Sequence, residues 1–387
     1  MRTRGNPSAA ADRRRRGLVR ELSRAGMLGD PRWQAAFGQV PRHVFLPRFF
    51  RQQPGGRWAA LDSTDADWLP LVYEDTVLVT QLDDDSTLWH TARQAGPVTG
   101  VPTSSSSQPA IMAVMLAELA VQDGQRVLEI GTGTGYNAAL LCHRLGADAV
   151  TTVDIDPTLV AAARENLATA GFFPTVALAD GAGGLAAHAP YDRVMATCSV
   201  STVPPEWLAQ TRPGGIVLTT LNRPIGAGLV RLTAGRDATA VGRVLPEDGR
   251  FMPLRAHRRV NPHPSPRSSE GETRTTKLDP GVLLSAASPF EFFAGLALPG
   301  VYAHIGGAAG AQLTHPDGSW ARFVSRSGKP IEVTQGGPRR LWDLAEQAHE
   351  QWRALDRPRR QRFGITVRGE HQELWLDEED SPHRWRL

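Results

Sequence analysis

Between residue 108 and about residue 254, short β-branched runs alternate with Ala/Leu-rich stretches of helical period, a pattern that predicts a parallel sheet wrapped by helices. Residues 126–130, 149–154, 175–178, 191–197, 215–220 and 229–233 read as strands, and 110–121, 137–145, 157–170 and 205–210 as helices. Ahead of this block, Leu18, Leu22, Ala25 and Met27 stand near helical spacing; the pattern breaks at Asp30-Pro31 and resumes in a short helix ending at Pro41. Residues 57–81 read as irregular with a candidate strand at 76–80, and 82–107 as a polar loop in which Asp83, Asp84 and Asp85 form a solvated turn. The segment 261–277, NPHPSPRSSEGETRTTK, has no apolar period and reads as a linker. Beyond it lie Trp320, Trp342, Trp352, Trp375 and Trp385, an amphipathic helix at 339–355 and a hairpin signal around Asp317-Gly318. The expected organisation is an N-terminal helical cap and lead-in at 1–80, an α/β core at 81–258, a linker at 259–277 and an α+β accessory domain, a substrate-binding one, at 278–387.

Composition narrows the class. The 387 residues are 41% hydrophobic and 21% charged, which is globular usage, and no apolar run approaches the ~18 residues that cross a bilayer. The first 22 residues carry charge with no apolar stretch behind it, so no signal peptide is expected. Cys142 and Cys198 make no disulfide framework, and a cytoplasmic location is expected. The formal net charge is +3, and the arginines are interleaved with 40 acids. Neither a nucleic-acid face nor a membrane face is expected, and Arg13 to Arg16 read as a solvated helix turn.

The strongest local signal is RVLEIGTGTGYNAALL at 126–141, where a strand ends in Gly131, Gly133 and Gly135 and runs straight into a helix. Glycines there let the backbone turn sharply and approach a ligand closely, with free helix N–H groups at the bend. The dinucleotide fingerprint asks for glycine where Tyr136 stands. Asp154 ends the next strand, placed to accept hydrogen bonds from ribose hydroxyls, and Asp180 follows the third, where an acid contacts an adenine amino group. An NAD enzyme, or an ordinary sheet with helix-capping acids, are the alternatives to a nucleoside site of another kind. No metal cluster is expected.

These residues belong to longer blocks: QVPRHVFLP (39–47), YEDTVLVTQ (73–81), SSQPAIMAVML (106–116), VLEIGTGTGYNAALL, VDIDP (153–157), PYDRVMATCSVSTVPPEWLAQTRPGG (190–215) and RFMPLR (250–255). In this order they resemble a class I S-adenosylmethionine (SAM) methyltransferase, and more closely the protein-L-isoaspartate O-methyltransferase family. The resemblance covers roughly residues 15–255 and leaves the C-terminal third outside. It implies a doubly wound, seven-stranded Rossmann-like core, SAM as cofactor and S-adenosylhomocysteine as product. It also implies a cofactor set of Glu129, Gly131, Thr132, Gly133, Gly135, Tyr136, Asp154, Ile155, Asp180 and Gly181. The glycines would cradle the methionine part, Asp154 the ribose and Asp180 the adenine, with Glu129 ordering the loop near the amino group. A family Ser ahead of an x-Pro pair orients the acceptor carboxylate; the match is Ser107 in Ser107-Gln108-Pro109, helped by Ser105 or Ser106.

Two departures bear on substrate. Ser105-Ser106-Ser107 stands where relatives usually carry Thr-x-Ser, behind a longer loop, and a further unit follows residue 277. Extended actinobacterial relatives resemble the methyltransferases that accompany ATP-grasp ligases in ribosomal peptide maturation. The expectation is therefore a carboxyl O-methyltransferase acting on an Asp side chain of a cyclised, graspetide-type precursor peptide, its ester closing to an aspartimide. Repair of isoaspartyl proteins is the alternative, followed by a non-catalytic SAM-binding scaffold and a small-molecule carboxyl methyltransferase. Thr197-Cys198-Ser199-Val200 holds no Asn/Asp-Pro-Pro-Tyr clamp, and Cys198 lacks a Pro-Cys context, so it reads as a packed cysteine. His43 and His90 read as surface or capping residues, and Arg42 with Asp75 as an internal ion pair.

Overall fold

The chain begins with helices α1 (Pro7–Arg24) and α2 (Pro31–Gln39), in a computed structural model that describes residues 7–258, 271–304, 311–324 and 330–387. The break expected at Asp30-Pro31 is a helix start: Asp30 accepts the Arg32 N–H at 2.8 Å and Pro31 opens the first turn.

Residues 57–106 depart from the irregular chain and polar loop expected of them, except that the candidate strand at 76–80 is present at Leu78–Leu82, and Arg48–Gln52, within the expected helical cap, is a strand. Together these segments form an antiparallel sheet of β1 (Arg48–Gln52), β2 (Trp58–Asp62), β3 (Leu78–Leu82) and β4 (Pro102–Ser106), in the order β2-β1-β3-β4. Short helices α3 (Trp68–Val72) and α4 (Leu88–Ala95) interrupt it. Each strand is five residues long, and β4 is Pro-Thr-Ser-Ser-Ser, so no apolar alternation announces it. Its place comes from β3, with Leu78 opposite Ser106 and Val79 opposite Ser105. Phe50, Trp58, Ala60, Val79, Leu82, Trp89 and Ala92 form the buried cluster of this layer. The three acids do make a turn: Asp83 and Asp84 take φ of 51° and 56°, Asp83 accepts the Val101 N–H, and Asp85 caps Thr87.

The alternating block folds as expected into helices α5 (Pro109–Glu118), α6 (Tyr136–Leu145), α7 (Pro157–Thr169) and α8 (Pro205–Ala209) with a sheet. The strands are β5 (Val127–Ile130), β6 (Val150–Asp154), β7 (Thr175–Leu178), β8 (Tyr191–Val200), β9 (Thr211–Asn222), β10 (Ala227–Ala234) and β11 (Thr239–Val244), in the order β11-β10-β9-β8-β5-β6-β7. β5 pairs in parallel with both β6 and β8, and β6 with β7, so strand order reverses beside β5. That reversal opens a crevice at the carboxyl ends of the central strands, where such sheets bind ligands. This is the expected doubly wound α/β arrangement, with two differences: β11 was not among the strands expected from the sequence, and the sheet continues past β11 to ten strands where seven were expected.

Two compact units divide the chain: the first holds the described residues up to 198 with 204–219 and 231–240, the second 199–203, 220–230 and the described residues from 241 on. In the second, β12 (Glu272–Thr276), β13 (Tyr302–His304), β14 (Gln312–Thr314), β15 (Trp320–Val324) and β16 (Ile331–Gly336) form a sheet ordered β12-β16-β15-β14-β13. Helices α9 (Gly281–Leu284), α10 (Glu291–Ala297) and α11 (Leu341–Ala354) and the antiparallel β17 (Phe363–Arg368), β18 (His371–Leu376) and β19 (Arg384–Arg386) complete it. The 339–355 helix is α11, and the Asp317-Gly318 hairpin joins β14 to β15. The 259–277 linker is corrected in part. Residues 259–270 lie outside the described residues, but Glu272–Thr276 is a strand paired over five residues with β16, its Arg274 bridging Asp343 and Glu346. Among the described residues no helix is long and apolar enough to cross a membrane.

Candidate active site

β5, buried at all four positions, delivers the chain into a loop whose three glycines hold φ of 96°, 52° and 87° at 131, 133 and 135. An L side chain adopts such angles only under strain. At Gly131 space adds to the demand: a Cβ would stand 2.8 Å from Thr197 Oγ1, which itself donates to the Gly131 carbonyl at 2.7 Å. The Gly131 and Thr132 N–H groups both reach Val153 O, at 2.9 and 3.1 Å, latching the loop to β6. The Gly133 N–H donates to Asp154 Oδ2 at 2.9 Å, and the Asp156 N–H to Asp154 Oδ1 at 3.1 Å. Burial raises the Asp154 carboxyl above its ordinary value while these N–H groups pull it back.

Beneath the loop lies a buried polar network. Glu129 is fully buried and accepts Asn137 Nδ2 and Thr152 Oγ1, each at 2.7 Å. The Thr152 hydroxyl lies 2.8 Å from that of Thr132. Burial pushes the Glu129 carboxyl up to about 7. Thr132 and Glu129 therefore brace the loop from inside, and Thr132 offers a ligand only its backbone. Tyr136 is likewise taken up by the core, its ring 6.3 Å from Phe37, 5.7 Å from Phe45 and 5.8 Å from the Arg42 guanidinium. Ile155 is half-buried next to Asp154. Asp180 is exposed after β7 with one oxygen capping the Ala182 N–H at 3.0 Å, and the buried Gly181 gives its carbonyl to Trp207 Nε1 at 2.7 Å. The strand ends thus present the 131–135 backbone and the carboxylates of Asp154 and Asp180 along one crevice.

The serine run is a strand, and strand period sorts it. Ser104 and Ser106 are buried, Ser105 and Ser107 half-buried. Ser104 Oγ accepts from Thr80 at 3.0 Å, and Ser106 Oγ from Arg42 Nη2 at 3.4 Å, so both buried hydroxyls have a protein partner. Among the described residues the Ser105 and Ser107 hydroxyls make no hydrogen bond. The Ser105 carbonyl lies 3.8 Å from where a Gly133 Cβ would stand, which brings the serine strand alongside the glycine loop.

Among the other expected residues, Arg42 and Asp75 find different roles, whereas His90 is exposed as expected. Arg42 and Asp75 are not an ion pair: Arg42 binds backbone carbonyls, while Asp75 accepts Gln108 Nε2 and the Ala110 N–H at 2.8 Å each, capping α5. His43 Nδ1 lies 2.7 Å from Tyr73 Oη, and His90 Nε2 accepts from Arg48 at 2.9 Å. Burial pushes the Cys198 and Cys142 thiols up to about 12, so neither is a thiolate at neutral pH. One residue was legible only as the end of YEDTVLVTQ. Gln81 is buried, donates to Asp156 Oδ2 at 3.0 Å and accepts from Thr103 at 3.0 Å, strapping β3 to the N-cap of α7.

Comparison with known proteins agrees with this geometry. A family model described as Protein-L-isoaspartate(D-aspartate) O-methyltransferase (PCMT) matches residues 86–258. Protein-L-isoaspartate O-methyltransferase 2 of Polaromonas sp. is 33% identical over 236 residues, 59% of this chain and 90% of that one. Protein-L-isoaspartate O-methyltransferase 1 of Anaeromyxobacter sp. is 32% identical over 241 residues, 60% of this chain and 94% of its own. A solved protein-L-isoaspartate O-methyltransferase superposes with a TM-score of 0.52 at 21% identity, covering 94% of this chain and 100% of its own, and so shares the fold. The chain belongs to the protein-L-isoaspartate O-methyltransferase family of SAM-dependent carboxyl methyltransferases.

Proposed function

We propose that this protein transfers the methyl group of SAM to the free carboxylate of an L-isoaspartyl residue in a protein or peptide. The observation that carries the reading is the approach of the serine strand to the glycine loop, with Ser105 O 3.8 Å from the Gly133 Cβ position and the Ser107 hydroxyl left without a protein partner among the described residues. The residues fit the cofactor: Gly131, Gly133 and Gly135 keep the loop free of side chains, and Asp154 and Asp180 end the neighbouring strands as hydrogen-bond acceptors. In this reading the loop holds the methionine part, Asp154 the ribose, and Asp180, Gly181 and Ile155 the adenine side. Bound SAM supplies an electrophilic sulfonium methyl.

A carboxylate is ionised at neutral pH and needs no general base. What is left to this chain is to exclude water and hold one oxygen in line. A neutral Ser107 hydroxyl donates a hydrogen bond to the other oxygen and orients the group without capturing it as a full charge partner would.

The case for a cyclised precursor peptide rested on the Ser105-Ser106-Ser107 run behind its longer loop and on a C-terminal unit outside the family resemblance. The solved isoaspartate methyltransferase whose fold aligns over 94% of this chain speaks against the second of these, and the relatives reported above are isoaspartate methyltransferases. The repair-type substrate therefore stands first. Purified full-length protein, SAM and either an isoaspartyl peptide or a cyclised Asp-containing precursor peptide are incubated, and products are read by mass spectrometry. Methylation of the isoaspartyl peptide is expected. Methylation of the cyclised precursor alone would replace this reading with a peptide-tailoring one, and absence of turnover on both would favour a SAM-binding scaffold.

A further inference from the structure

Arg42 is fully buried without an ion-pair partner among the described residues. Its guanidinium is spent on oxygens from two separate segments. Nη1 donates to Val72 O at 2.8 Å and Glu74 O at 3.1 Å; Nη2 donates to Thr76 O at 3.3 Å, Ser106 Oγ at 3.4 Å and Ser107 O at 3.1 Å. Nε is buried with no partner. Burial pulls the Arg42 guanidinium down to about 10 against the favourable influence of Tyr136 and Asp75, so the cation is kept charged in the interior by the oxygens it joins.

A second link joins the same two segments. Asp75, between Glu74 and Thr76, accepts Gln108 Nε2 and the Ala110 N–H, each at 2.8 Å. Residues 72–76 and 106–110 are therefore stitched in both directions, and Ser107 lies within the second. The Arg42 guanidinium also sits 5.8 Å from the ring of Tyr136, the first residue of α6 after Gly135. One cation thus touches the lead-in segment, the serine segment and the start of the glycine-loop helix. A lysine supplies the charge but lacks the planar fork that reaches several acceptors at once.

The geometry points to Arg42, backed by Asp75, as a positioning residue that sets the Ser107 hydroxyl against the glycine loop. This rests on the reading of Ser107 as the group that orients the acceptor carboxylate.

The test compares the wild-type chain with Arg42→Lys, Asp75→Ala, Ser107→Ala and the Arg42→Lys/Ser107→Ala double variant. Steady-state methylation of an isoaspartyl peptide and hydrogen–deuterium exchange are measured on each. Arg42→Lys is expected to lower kcat about 10²-fold while KM for SAM stays within about threefold, with no further fall where Ser107 is already alanine. Amides of 102–110 are expected to exchange faster while those of 127–141 keep their protection. Additive losses in the double variant, or unchanged exchange at 102–110, overturn the inference. Should Arg42→Lys not fold, Asp75→Ala removes both acceptor oxygens of the second link alone and carries the same two readouts. A wild type inactive on the isoaspartyl peptide refutes the proposed substrate instead, and the exchange comparison still decides whether Arg42 holds the serine segment.

Discussion

Asp154 Oδ2 accepts the Gly133 N–H at 2.9 Å, so the carboxylate that ends β6 also holds the middle glycine of the loop that ends β5. A ligand lying along the crevice meets loop and carboxylate as one rigid piece. Asp154→Asn keeps the shape and one acceptor oxygen but loses the charge that strengthens hydrogen bonds from hydroxyl donors. SAM affinity should fall by ~1.5–3 kcal/mol in titration calorimetry. Unchanged affinity removes Asp154 from the cofactor site.

The glycines differ in why they are glycines. Gly131 combines φ of 96° with a Cβ position 2.8 Å from Thr197 Oγ1, whereas at Gly133 the nearest atom is 3.8 Å away and only φ of 52° objects. Gly131→Ala should lose ~2–3 kcal/mol of stability and Gly133→Ala ~1 kcal/mol, read as lowered urea midpoints at constant m. A larger loss at 133 than at 131 contradicts the steric account.

Glu129 makes stability depend on pH in a definite direction. Its carboxyl ordinarily titrates at 4.5, and burial lifts it to about 7 in the folded protein. The folded state then binds the proton more tightly than the unfolded chain, so this group's contribution to stability is greatest below pH 4.5 and is lost as pH rises towards 7. Glu129→Gln removes the titration, and its amide can still meet Asn137 and Thr152. Relative to wild type the variant should gain up to about 3 kcal/mol between pH 4.5 and 7.5. A pH-independent difference in denaturant titrations at these two values would show that Glu129 does not carry the effect.

Cysteine chemistry offers a simple check on the carboxylate reading. With both thiols held up to about 12, Cys142 and Cys198 should resist iodoacetamide at pH 8 in the native state and react on unfolding. Cys198→Ala should keep methylation activity, since the thiol is not asked to attack anything. Rapid native alkylation at Cys198, together with loss of turnover in the variant, would reinstate a nucleophilic cysteine.

What could be read without the structure was what local chemistry writes locally. The 3.6-residue period marks α6 and α7, short β-branched runs mark β5 and β6, and Gly131, Gly133 and Gly135 announce a turn that other residues enter only under strain. The end of β6 places Asp154 for the same reason. The strands β1, β2 and β4 went unread because segments of only five residues, with no clean apolar alternation, acquire their strand character from a partner, not from their own pattern.

The amino-acid sequence by itself determined the alternating α/β block, its glycine loop and the acids that end its strands. Only the tertiary structure decided which serines are free. Pairing with β3 turns Ser104 and Ser106 into the buried face and leaves Ser105 and Ser107 half-buried, and Arg42, 65 positions before the Ser107 carbonyl it binds, donates to the Ser106 hydroxyl. The side on which a strand residue falls is fixed by the register of a distant neighbour, and shifting that register by one residue exchanges the two faces.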